Sequence, residues 1–169
     1  MVTDFARLLV VDDYEPWRRF VSTVLQTHRD LRIIGQVSDG REAVRQAQEL
    51  QPDLILLDIG LPTINGIEAG RRIREISPGS KVLFLSENRS SDIVEEALST
   101  GARGYVLKSD AAGELLSAIK AVLEGERFIS ARLGGLDTEP DHLKRIENTT
   151  RGTIAAGGFV SERKQCTSA

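Results

Sequence analysis

Five side chains able to do chemistry stand at the ends of four short apolar runs. Leu8-Leu9-Val10-Val11 leads into Asp12-Asp13, Leu54-Ile55-Leu56-Leu57 into Asp58, Val82-Leu83-Phe84-Leu85 into Ser86, and Tyr105-Val106-Leu107 into Lys108. Each alone has an ordinary explanation: acids and serine cap helices or form turns, and lysine is a usual surface residue. Repetition is what points to chemistry, because such runs read as buried parallel strands whose C-terminal ends share one rim. Three carboxylates gathered there repel one another, and raised pKa values or a bound cation relieve the repulsion. An all-oxygen cluster suits Mg²⁺ or Mn²⁺ rather than zinc, which would draw on histidine or cysteine ligands. With such an ion held mainly by Asp13 and Asp58, an unprotonated Asp58 oxygen can act as a nucleophile toward phosphorus. Lys108 would offset charge on the phosphoryl oxygens, and Ser86 would add a hydrogen bond.

The elements between the runs carry helical periodicity. Pro16 suits a first helical turn, and Trp17, Phe20, Val21, Val24 and Leu25 recur on one face, which makes Trp17 a packing residue. Leu31 to Val37 is a half-polar strand, and Ala43, Val44, Ala47 and Leu50 mark the next helix. After the central strand, Gly60, Pro62, Asn65 and Gly66 are loop residues, and a helix from about Gly66 stops before Pro78. Ser91 or Asp92 can cap a fourth helix that Gly101 ends, and Ser109 or Asp110 a fifth that Gly125 closes. Five strand-helix units of this kind predict an α/β fold over residues 4–125. The expected form is a flavodoxin-like, doubly wound (βα)5 parallel sheet of strand order 2-1-3-4-5.

Composition sets outer limits. The 169 residues are 40% hydrophobic and 28% charged, enough for one ordinary core, and no stretch resembles a membrane span or a signal peptide. A soluble, cytoplasmic protein is expected. The single Cys166 excludes an internal disulfide or a cysteine metal cluster. A formal charge of −3 argues against a surface coated by nucleic acid. Residues 126–169, with Gly134-Gly135, Pro140 and Gly157-Gly158, read as a poorly packed tail or linker remnant in which a short helix from Asp141 to Asn148 could form. His28 reads as a helix-end surface residue, and His142 lies in that tail.

Asp12-Asp13, Asp58 in Leu-Leu-Asp-Ile-Gly-Leu-Pro, Ser86 and Tyr105-Val-Leu-Lys108 together resemble the receiver domain of bacterial two-component response regulators. The resemblance implies that Asp58 is the phosphoacceptor and that Asp13, Asp58 and the backbone carbonyl of Gly60 bind Mg²⁺, with Asp12 reaching it through water. It implies that Ser86 and Lys108 contact the phosphoryl group and that the donor is a sensor histidine kinase or phosphotransfer protein. Such a chain assists its own phosphorylation and dephosphorylation, and no separate substrate turnover is expected of it. Ser38-Asp39-Gly40-Arg41-Glu42-Ala43 and Gly101-Ala102-Arg103-Gly104-Tyr105 resemble the branch that usually carries a LuxR-type output domain. No helix-turn-helix pattern stands in the tail, so DNA binding is not expected of this chain.

Ser86 and Tyr105 form the expected switch: a dianion at Asp58 draws the hydroxyl inward and lets the Tyr105 ring move from an exposed to a buried rotamer. The surface altered would be residues 91–100, 105 and 110–124, where a partner or a second copy would bind. Other readings have less support. A haloacid-dehalogenase-like hydrolase needs a second acid two residues after its nucleophile, where this chain has Gly60, and a flavin or ligand module would want a glycine-rich phosphate loop. A degenerate receiver used only for protein contacts would be expected to lack some of these residues, and none is missing.

Overall fold

The structure, a computed structural model, describes residues 5–134. Its strands are β1 (Ala6–Val11), β2 (Leu31–Val37), β3 (Leu54–Asp58), β4 (Lys81–Ser86), β5 (Gly104–Leu107) and β6 (Phe128–Ile129), and its helices are α1 (Glu15–Leu25), α2 (Gly40–Leu50), α3 (Gly66–Ile76), α4 (Ser91–Ser99) and α5 (Ala111–Leu123). All pairings are parallel, and the order is β2-β1-β3-β4-β5-β6. The predicted flavodoxin-like order is present, with one strand added at the β5 edge.

Alternation along the strands builds a core on each face of the sheet. Leu8, Val10, Leu54, Leu56, Leu83, Leu85 and Val106 share one cluster with Val21 and Leu25 of α1 and Leu115, Ile119 and Val122 of α5. Leu9, Val11, Ile55, Leu57 and Phe84 alternate with them and are equally buried. On that second face Gly70 of α3 lets the helix come close to the Phe84 ring. Each large apolar side chain buried this way contributes roughly 1.5–3 kcal/mol, so β3, buried at all five positions, is the anchor of the sheet.

Two helix starts are fixed by side-chain caps. Asp39 accepts from Glu42 N at 2.8 Å, and Asn65 accepts from Glu68 N at 2.9 Å. α3 begins directly over the end of β3: Gly66 N donates to Ile59 O at 2.8 Å, and a Cβ at Gly66 would fall on the Asp58 carbonyl. The loop between them is pinned to α2 by Gly40 N to Pro62 O at 3.2 Å and by Thr63 Oγ1 to Asp39 Oδ1 at 3.2 Å.

The cap expected at α4 from Ser91 or Asp92 is not there, while Asp110, one of the two expected at α5, occupies its N-cap position without a side-chain cap bond. The residue bounding α4 is Ser90, whose side chain makes no cap bond, and α5 is entered through a 3-10 turn over Lys108–Asp110. The ordered sheet also runs past Gly125. Phe128 N donates to Arg103 O at 3.0 Å and Ser130 N to Tyr105 O at 2.9 Å, which lays β6 on the open edge of β5. Ser130, with no exposed surface, accepts from Leu107 N at 2.9 Å and donates to Glu114 Oε2 at 2.6 Å, and Leu133 is buried behind it. The expected helix at 141–148, His142 and Cys166 lie outside the described residues.

Candidate functional site

Strand register gathers the chemistry. Val11 pairs with Leu57, Asp58 with Leu85, and Ser86 with Leu107, so Asp12, Asp58, Ser86 and Lys108 follow one another across the C-terminal rim. Asp12, Asp13 and Asp58 each place a carboxylate oxygen within 4.8 Å of the others. Their settings differ: Asp12 and Asp58 are 1% and 7% exposed, whereas Asp13 faces solvent. A cavity of about 790 Å³ above them is lined by Asp13, Asp58, Gly60, Ser86 and Lys108, with Tyr14, Ile59, Glu87 and Asn88 completing its wall.

Lys108 is the counter-ion of the cluster. Its Nζ lies 2.6 Å from Asp12 Oδ2 and 3.4 Å from Asp58 Oδ1, closer to the buried acid than to the central one. The same ammonium sits 5.1 Å from the centre of the Trp17 ring, which itself stacks obliquely on Phe20 at 5.0 Å. Asp12 is held from two further sides. Tyr14 N donates to Asp12 Oδ1 at 2.8 Å, and Arg18 Nη1 donates to the Asp12 carbonyl at 2.7 Å. Burial pushes the Asp58 carboxyl above the usual carboxylate range; Lys108 opposes that shift, and the neighbouring Asp12 charge adds to it.

Ser86 is 4% exposed, and its Oγ accepts from Asn88 N at 3.1 Å. Tyr105 is fully buried and its hydroxyl donates to Asn88 O at 2.8 Å, while burial pushes the phenol above its ordinary value. The ring is thus already inward here, and both expected switch residues meet on the one loop after β4. Because β6 occupies the outer edge of β5, that edge is covered by the chain itself, and α4 and α5 supply the open surface around it.

The sequence pattern assigned Trp17 to packing alone, and Tyr14, Arg18 and Glu87 to nothing. Trp17 does pack against the α1–α5 core, and it also touches the charged cluster. A usable signal was its position four residues after Asp13, in the first turn of α1, which keeps a side chain near the rim. Glu87 could have been noticed as the residue next to Ser86. The cluster's donor set fits a hard divalent cation: carboxylate oxygens converge from two strand ends, one of them on the exposed Asp13.

Residues 8–120 match the response regulator receiver domain family. The response regulator protein VraR of Staphylococcus epidermidis is 30% identical over 158 residues, which cover 94% of this chain and 71% of that protein. The transcriptional regulatory protein LiaR of Bacillus subtilis is 38% identical over 130 residues, 76% of this chain and 61% of its own length. Among solved structures, a LuxR-family two-component response regulator from Aurantimonas sp. SI85-9A1 superposes with a TM-score of 0.75 at 30% identity, covering 84% of this chain and 99% of that one. The response regulator domain of Thermotoga maritima CheB gives 0.66 at 32% identity, covering 71% and 97%. Among the described residues no helix is long and apolar enough to cross a membrane.

Proposed function

The chain belongs to the response regulator receiver domain family, and on that premise we propose that it accepts a phosphoryl group on Asp58 from a sensor histidine kinase or phosphotransfer protein. The observation that carries this is the Lys108 ammonium lying between two buried acids, 2.6 Å from Asp12 and 3.4 Å from Asp58, under an open cavity. Asp58 is the nucleophile because, in the row between Asp12 and Ser86, it is the buried carboxylate that lines the cavity. Mg²⁺ would be held by Asp13, Asp58 and the Gly60 carbonyl, with Asp12 acting through water, and when bound it would supply positive charge to the phosphoryl oxygens. Lys108 would turn from Asp12 to those oxygens, and Ser86 would donate its hydroxyl to one of them. The chain is a signalling component with no separate turnover.

The signal leaves through Ser86 and Tyr105. Both are tied to the loop after β4, one at Asn88 N and the other at Asn88 O. Drawing Ser86 toward a phosphoryl group releases Asn88 N, so the loop and the Tyr105 hydroxyl must find a new arrangement; the phosphoryl group favours it only through contacts it makes better there. The surface that changes comprises residues 91–100 and 110–124, which include α4 and α5, around the buried Tyr105, and a partner or second copy binds there. Transfer from a phosphorylated donor to the parent and to Asp58→Asn tests the reading. Label that appears in the parent and is absent from the variant supports it, and label retained in the variant refutes it.

A further inference from the structure

The cavity over Asp58 shares Tyr14, Glu87 and Lys108 with a second hollow of about 360 Å³, whose remaining lining is Trp17, Arg89 and Ser109. Glu87 is the one acid that lines both and stands outside the carboxylate cluster of Asp12, Asp13 and Asp58. It is exposed and, among the described residues, forms no hydrogen bond or ion pair. The two cations that share the second hollow with it are differently placed. Lys108 is engaged by Asp12 and Asp58, and Arg89, 3.4 Å from Ser109 Oγ, lines only the second hollow. Outside the carboxylate cluster, the one charge lining the acceptor cavity without a partner is therefore the negative Glu87.

Asp58 is a buried residue of the cavity lining and Glu87 an exposed one, and phosphoryl transfer is roughly in line, so the leaving group departs away from Asp58, toward the solvent side where Glu87 stands. We infer that Glu87 is a specificity-determining residue that selects phosphoryl donors by the charge of the departing atom, favouring a cationic nitrogen over an acyl oxygen. The inference rests on Asp58 being the acceptor. In the transfer an Asp58 carboxylate oxygen forms the new P–O bond as the donor bond breaks. With phosphoramidate the bonding pair leaves on a nitrogen that was protonated, giving neutral ammonia. With acetyl phosphate it leaves on oxygen as acetate, and negative charge grows beside Glu87. The carboxylate attracts the first donor and opposes the second.

The test measures initial rates of Asp58 labelling in the full chain with each donor at fixed Mg²⁺, for the parent, Glu87→Gln and Glu87→Lys. The glutamine variant should raise the acetyl phosphate to phosphoramidate rate ratio by about threefold to tenfold, the size of effect one nearby charge has in a partly wet site. The lysine variant should raise it further. Both gains should shrink toward about 1 M salt, where the screening length falls to about 3 Å. An unchanged ratio in both variants, or gains indifferent to salt, overturns the inference. A parent that shows no Asp58 label with either donor overturns the acceptor reading and the inference with it.

Discussion

Replacing Lys108 by methionine keeps much of the stem and deletes the charge that Asp12 and Asp58 share. The three side chains are 12%, 2% and 10% exposed, so water screens them little. At an effective dielectric near 20 the separations of 2.6 and 3.4 Å correspond to gross attractions of roughly 6 and roughly 5 kcal/mol. Most of that offsets desolvation, and removing one partner of a buried pair costs about 3–5 kcal/mol. We expect the variant to lose about 3 kcal/mol near pH 7, or on the order of 10 °C in Tm. The loss should depend on pH. A carboxyl whose folded pKa is raised, as at Asp58, holds more protons folded than unfolded, so stability falls as pH rises from the ordinary carboxylate range toward the folded value. Without Lys108 that fall steepens, so the deficit should be largest near neutrality and should shrink toward about pH 4. Mg²⁺ should restore part of it, since a divalent ion can take over the neutralisation. The assay is urea unfolding of parent and variant between acid and neutral pH, with and without Mg²⁺, followed by the single Trp17, whose ring lies 5.1 Å from the Lys108 ammonium. A loss below about 0.5 kcal/mol, the ordinary surface range, or one of equal size in acid and at neutrality, would refute the reasoning.

Asp58→Asn should stabilise the fold at neutral pH by on the order of 1 kcal/mol, because it removes a carboxylate that burial disfavours, and the gain should vanish as pH falls through the carboxylate range. Thermal melts of the two proteins across that range check the sign. Ending the chain after Gly125 should cost about 2–4 kcal/mol, because the backbone bonds from Phe128 to Arg103 and from Ser130 to Tyr105 are lost together with the one from Leu107 N to Ser130 Oγ. Comparison with a chain ended after Gly134 isolates the contribution of β6 and the buried Leu133. A beryllofluoride phosphoryl mimic with Mg²⁺ should shift the NMR signals of α4 and α5 in the parent and do so much less in Ser86→Ala and Tyr105→Phe. Equal shifts in all three proteins would show that the two residues do not couple the site to that face.

Much of the fold was legible because burial on both faces leaves a strong trace. Leu54 to Leu57 is a continuous apolar run bounded by Pro52 and loop residues, too short for a helix, and a strand buried on both faces uses such a run. β6 left no comparable trace. It is two residues long, follows Gly125 after a charged stretch, and gains its place through backbone bonds and the Ser130–Glu114 contact rather than through apolar periodicity. The cap at α4 was misplaced by one residue, and Asp110 at α5 makes no side-chain cap bond, because Ser and Asp abound near both helix starts and composition does not say which one bonds the backbone. Asp39 and Asn65 do so because each carries a residue three places on whose N–H it reaches. At the site, strand ends named Asp12, Asp13, Asp58, Ser86 and Lys108, since side chains at adjacent strand ends must converge. The order of contacts within the cluster was not legible. That Lys108 lies nearer Asp12 than Asp58, and that Trp17 flanks it, depends on how α1 and the turn at Lys108–Asp110 pack over the rim.

The acceptor role of Asp58 is tested most directly by incubating the full chain with phosphoramidate and Mg²⁺, reducing the acyl phosphate chemically, and locating the modified residue by tandem mass spectrometry. The expected result is a single modification at Asp58 that disappears when the metal is chelated. Modification at another residue, or labelling of equal extent without metal, would contradict it.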